Sequence, residues 1–101
     1  MSGRRVRLTA IAEQHIENKR AWWRKNRNSQ EIFELELEQA LAKISILPGT
    51  GTDYPLPGIS GLRRIYLRKI DCHLYYSADA RGIVVQALWG ARRERGPNLT
   101  K

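Results

Sequence analysis

This sequence holds a single cysteine, Cys72, so no disulfide can form within the chain, and a reducing, cytoplasmic setting is expected. Histidine is also scarce. His15 and His73 share no metal-ligand spacing with each other or with Cys72, so neither a metal nor a cofactor is expected. No apolar run approaches the roughly 20 residues that cross a bilayer, which argues against a membrane partner. Nothing apolar follows the charges of Met1-Ser2-Gly3-Arg4-Arg5, so a signal peptide is not expected. Acid is the remaining shortage: ten Asp and Glu face 18 Lys and Arg, for a net charge of +8. A surface of that sign attracts nucleic acid, anionic membrane or an acidic protein, although charge alone also keeps a small protein dissolved.

What is present suits one compact domain. The length of 101 residues is enough for one core and short for two, and a hydrophobic share of 42% argues against disorder. The charge is unevenly spread. The basic side chains concentrate before residue 30 and after residue 61, while Glu31, Glu34, Glu36 and Glu38 form an acidic block between them.

The hydrophobic period changes along the chain. Arg4 to Thr9 alternates, with Val6 and Leu8 on one side and Arg5 and Arg7 on the other, which predicts a short strand with one wet face. Thr9 is a suitable N-cap. From Ala10 to about Arg27, Ala12, His15, Ile16, Lys19, Trp22, Trp23 and Asn26 recur at helical spacing. Being adjacent, Trp22 and Trp23 cannot both face a core, so one is free for a partner. Asn28-Ser29-Gln30-Glu31 predicts a second helix start, with Asn28 as cap and Glu31 at the third helical position. Phe33, Leu37, Ala40, Leu41, Ile44 and Leu47 form its stripe, which Pro48-Gly49 ends. Residues 48–61, rich in Gly and Pro, are read as loop. Three strands follow. Leu62–Lys69 carries Ile65 and Leu67 against Arg64, Tyr66 and Arg68. Cys72–Ser77 sets Cys72, Leu74 and Tyr76 against His73, Tyr75 and Ser77. Gly82–Trp89 is apolar enough for a strand buried on both faces. The expected fold is α+β: an N-terminal strand and a helical hairpin packed on a mainly antiparallel four-stranded sheet.

Several segments carry a likeness to a known family. Ile44-Ser45-Ile46-Leu47-Pro48-Gly49-Thr50-Gly51 looks like a helix end with a Pro-Gly turn. Leu62-Arg63-Arg64-Ile65 looks like a second-strand start, and Asp71-Cys72-His73-Leu74-Tyr75-Tyr76 like a Tyr-rich hairpin strand. Ile83 to Arg93 looks like a last strand with its basic exit. Together with the element order, these resemble the RelE/ParE toxin superfamily over almost the whole chain. The resemblance implies the toxin of a bacterial type II toxin–antitoxin system, the kind of pair that serves plasmid stabilization. Such a toxin arrests growth unless a cognate acidic antitoxin holds it in a hetero-oligomer. It also implies one of two targets. ParE-like members inhibit DNA gyrase, and RelE-like members cut mRNA on the ribosome.

Cutting RNA without a metal needs a base for the 2′-hydroxyl, a cation for the phosphate and an acid for the leaving oxygen. His73, Tyr75, Arg92 and Arg93 are the catalytic candidates, and Arg64, Arg68, Lys69 and Arg95 the target-binding ones. Each has a plainer reading: His73 as an ordinary strand histidine, Tyr75 and Tyr76 as sheet packing, the arginines as a solvated tail. The family pattern is also incomplete. His73 stands where RelE-like members usually carry arginine. Gly90 stands where some ribonuclease members carry histidine, and no tyrosine follows the basic cluster. These departures favour the ParE-like mode. RelE-like cleavage is the alternative, and a non-toxic antitoxin-binding module is a third reading.

Overall fold

A computed structural model describes residues 3–27, 29–93 and 95–99. Its elements are β1 (Val6–Leu8), α1 (Ala10–Asn26), α2 (Gln30–Ile46), a 3-10 turn (Pro48–Thr50), β2 (Thr52–Asp53), β3 (Arg63–Leu67), β4 (Cys72–Asp79) and β5 (Gly82–Gly90). The strands make one mixed sheet in the order β1-β5-β4-β3-β2. The expected α+β layering is present, but the sheet has five strands rather than four. The additional strand lies inside the segment read as loop: Thr52 and Asp53 pair antiparallel with Arg64 and Arg63. Two residues are too few to show a period, so this strand leaves no hydrophobic signature. The first strand runs parallel to the last, Val6 beside Ile83 and Leu8 beside Val85.

Local chemistry accounts for most element ends. Thr9 Oγ1 accepts the Ala12 N–H at 3.0 Å and starts α1 as expected. For α2, Ser29 is the capping residue and makes no side-chain cap bond. Glu31 therefore occupies the second helical position, not the third; Asn28, the expected cap, lies outside the described residues. The stripe of α2 buries Phe33, Leu37, Ala40 and Ile44, but Leu47 is 60% exposed. The helix has already ended at Ile46, and Leu47 leaves the helical conformation before Pro48, so the helical spacing no longer applies to it. Arg20 of α1 pairs with Glu34 of α2 and with Glu17, tying the hairpin together on its outer side. Leu8, expected to face inward with Val6, is 39% exposed because β1 is the sheet edge.

The core divides by sheet face. Ala12, Ile16, Phe33, Leu37, Ala40 and Ile44 of the helices meet Leu67, Cys72, Leu74, Tyr76, Ile83, Val85 and Leu88 of the sheet. On the opposite face Leu62, Tyr75 and Ala87 form a smaller cluster, roofed by Tyr54, Leu56, Ile59 and Leu99. A bulge reconciles the apolar run of β5 with this division. Tyr75 pairs with Ala87 but Tyr76 pairs with Val85, so Gln86 is the extra residue. The bulge shifts the alternation by one place, and Ile83, Val85 and Leu88 all join the helix-side core while Ala87 turns to the other. Gly82 closes the β4–β5 turn at φ 131°, and a Cβ there would lie 2.3 Å from the Arg5 carbonyl oxygen.

Tyr76 ties the end of α2 to the sheet. Its ring is fully buried; its hydroxyl donates to the Pro48 carbonyl at 2.7 Å and accepts the Gly51 N–H at 2.8 Å. Gly51 is required for that approach, since a Cβ would sit 2.7 Å from the Arg64 carbonyl oxygen. Tyr76→Phe keeps the ring and strands both backbone groups. An unsatisfied buried polar group costs about 1–3 kcal/mol. A urea unfolding free energy lowered by that amount, seen as a lower midpoint with an unchanged slope, is the expected result.

Candidate functional site

Strand register decides which side chains meet on the face that the helices leave uncovered. Tyr66 of β3 pairs with His73 of β4, and His73 pairs with Trp89 of β5. These three form one cross-strand row of rings. The Tyr66 and His73 centroids are 5.4 Å apart, and Tyr66 is 49% exposed. The next row is Arg64, Tyr75 and Ala87. Two candidates, His73 and Arg64, thus stand on one face within two adjacent rows.

Tyr75 must be reassigned. It is 2% exposed, beneath Tyr54 at a ring separation of 5.0 Å. Its hydroxyl meets the Arg64 guanidinium at 3.3 Å, and burial raises its pKa. A buried phenol with a raised pKa is a poor proton donor near neutrality and out of reach of a large substrate. Tyr75 therefore positions Arg64, whose guanidinium carbon also lies 4.8 Å over the Tyr54 ring.

His73 is half-buried. Burial chiefly, and Arg64 next, hold its pKa below the usual 6.5, with Asp71 pulling weakly the other way. At neutral pH it is an uncharged imidazole, able to take a proton. Tyr66 is not a matching acid. Its hydroxyl donates to Asp71 Oδ1 at 2.7 Å, and that bond raises its pKa. Asp71, at φ 53° in the β3–β4 turn, also accepts from Arg92 Nε at 2.6 Å, and these two bonds hold its carboxyl below the ordinary range.

The arginines after β5 separate in role. Arg92 is ion-paired with Asp71, but its side chain is 91% exposed, so the pair is a solvated surface one of little worth. Arg93 lies with its guanidinium carbon 4.3 Å over the Trp89 ring. Arg95 contributes its backbone: its carbonyl accepts the Trp89 indole N–H at 2.6 Å, while its side chain is exposed. Arg68 is exposed in the β3–β4 turn, close enough to act on the charge of Tyr66. Lys69 is anchored by its N–H to Glu36 at 3.0 Å, and its side chain lines a groove beside Trp23 and Arg27. The candidates thus fall into two neighbouring groups: Arg64 and His73 on the open face, and Lys69, Arg92 and Arg93 at its end. Among the described residues, no three His, Cys, Asp or Glu side chains converge as a metal ion would require.

Sequence reasoning missed Tyr66, Asp71 and Trp89 as members of this site. Their residue types were visible, but only the strand register brings them beside His73. It also missed His15. Strand β1 covers β5 only from Ile83 to Val85. Beyond that, α1 takes over the edge: Thr9 Oγ1 donates to the Gln86 carbonyl at 3.3 Å, and the Leu88 N–H donates to His15 Nδ1 at 3.3 Å. The His15 ring lies 5.2 Å from Trp89, and burial, then Arg93, lowers its pKa.

No protein-family model matches this chain, and no curated protein matches it. No helix among the described residues is long and apolar enough to cross a membrane.

Both histidines have folded-state pKa values lowered from 6.5. Between that value and the lower folded one, the unfolded chain binds more protons. Stability is therefore full above pH about 6.5 and declines as pH falls through the folded values. Denaturant titrations from pH 7.5 to 5 should show that decline, and His15→Gln with His73→Gln should remove most of it. A decline unchanged in the double variant would contradict the assigned neutral state.

Proposed function

We propose that this chain is a growth-arresting toxin of RelE/ParE type whose working face is the Tyr66–His73–Trp89 row with its guanidinium rim. The observation that carries the reading is the company the row keeps. Arg64 and Arg93 flank three aromatic rings on a sheet face that the helices leave open. Such a surface suits a polyanionic target or a protein bound to one, since guanidinium groups fix phosphates and rings stack on bases. The net charge of +8 supports the same reading and fits an acidic antitoxin as the inhibitor that covers this face. The proposed setting is the cytoplasm.

The chemistry of the row favours binding over cutting. RNA cleavage needs both a base and an acid that work near neutral pH. His73 supplies one proton-transfer group, while Tyr66 and Tyr75 are both pushed away from neutrality. ParE-like inhibition of DNA gyrase asks only for a complementary surface. One observation favours the RelE-like alternative: the neutral His73 ring lies beside Arg64, a suitable base next to a phosphate-binding cation.

Expression of the lone chain in bacteria tests both. The expected outcome is growth arrest with DNA breaks and filamentation, and without ribosome-dependent mRNA cuts. His73→Phe, which keeps a ring and removes proton transfer, should retain the arrest. Arg92→Ala combined with Arg93→Ala should abolish it in a folded protein. Messenger RNA cuts that vanish in His73→Phe would replace the gyrase reading with the nuclease one. No arrest at all would overturn the toxin reading.

A further inference from the structure

Around the corner from the open face, the end of α1, the β3–β4 turn and the exit of β5 enclose a groove of about 460 Å³. Lys19, Arg27, Lys69, Arg92 and Arg93 line it, with Trp22 as one wall. Its one acidic residue among the described ones, Asp71, is already engaged by Tyr66 and Arg92. Among the described residues, no ion pair compensates Lys19, Arg27, Lys69 or Arg93. The crowding of like charge is most evident at Gly90. Lys19 Nζ and Arg93 Nε both lie within 4 Å of the point where a Cβ would stand there, at 3.6 and 3.8 Å. Among the described residues the groove gathers five cations around a single carboxylate, which works against folding, so an anion that enters it gains from all of them at once.

The aromatic wall narrows the kind of anion. Trp22 is 45% exposed, although its neighbour Trp23 packs against the core. The two indoles meet edge to face at 5.9 Å and 71°, and the Arg27 guanidinium carbon lies 5.8 Å from each ring. Trp22 is thereby braced from behind with a surface left free. A purely acidic peptide would use the cations but offers no flat ring to that indole. A nucleotide uses both, its phosphate on the cations and its base on the ring. A duplex keeps its bases stacked inside and offers the indole no free face.

We infer that this groove is a binding site for single-stranded nucleic acid, with Trp22 stacking a base and Lys19, Arg27 and Arg93 holding the flanking phosphates. The inference goes beyond the growth-arrest reading and is testable apart from it, because Lys19 and Trp22 of α1, and Arg27 just after its end, take no part in the open face. Arg93, which both lines the groove and covers Trp89, joins the two surfaces.

Fluorescence anisotropy with fluorescein-labelled 12-nucleotide polyuridine and polydeoxythymidine, over a salt series, tests it on the full chain. Binding should weaken linearly in log–log form, by about 0.7 of slope for each phosphate neutralised. Trp22→Ala should weaken binding about ten-fold with the slope unchanged, as loss of one stacked base does. Lys19→Gln with Arg27→Gln should flatten the slope by about 1.4, two phosphates' worth. Arg27→Gln alone, at an exposed position, should flatten it by about 0.7 and serves if the double variant melts early. Binding indifferent to these changes would overturn the inference and leave the growth-arrest reading intact. So would no binding of either oligonucleotide, or capture of a polyglutamate peptide in their place.

Discussion

Packing of the two helices against one side of the β3–β4–β5 ladder is the interaction on which the rest of this protein depends. Phe33, Leu37, Ile44 and Ile16 cover one face of that ladder. The alternation of strand side chains then leaves no choice about the other face, because every residue that does not point at the helices must point away from them. Tyr66, His73 and Trp89 become a row for that reason, and Arg64 stands in the row beside it. The bulge at Gln86 is the one adjustment. It lets β5 give three large aliphatic side chains to the helix side and still deliver Ala87 and Trp89 to the other.

The uncovered face is not a bare one. Tyr54, Leu56, Ile59 and Leu99 roof its lower half over Tyr75, so only the Tyr66–His73–Trp89 end remains accessible. Arg64 emerges at the boundary, steered by a buried phenol on one side and a tyrosine ring on the other. Asp71 organises the opposite boundary by holding Tyr66 and Arg92 from a left-handed turn position, a conformation that aspartate tolerates better than most residues. Pre-set cations around rings make a surface that loses little freedom when a target docks.

Much of the fold was legible in the sequence because period is a local property. The Thr9 cap, both helices and the inward sets Ile65–Leu67 and Cys72–Leu74–Tyr76 follow from spacing alone. What was not legible depends on distant pairing. The parallel partner of Val6–Leu8, the two-residue strand at Thr52–Asp53 and the exposure of Leu8 and Leu47 are set by what lies beside them. The site divides in the same way. His73, Arg64 and Arg93 could be named from residue type and the basic exit of β5. The burial of Tyr75 and the Asp71 pairing of Arg92 required knowledge of the loop roof and the turn. The role of His15 as a hydrogen-bond acceptor for an unpaired strand edge required knowing where β1 stops. Trp22 and Trp23 show both limits: adjacency revealed that one would face outward, but not which one.

The central claim is that the accessible end of the uncovered sheet face is where this protein acts. Saturation mutagenesis of the whole chain, with selection of cells that survive its unopposed expression, tests this most directly once variants that fail to accumulate as folded protein are set aside. The account predicts that the remaining escape substitutions concentrate at Tyr66, His73, Arg64, Trp89 and Arg93. Escape substitutions gathered instead on the outer surface of α2, around Glu31, Leu35 and Glu38, would contradict it.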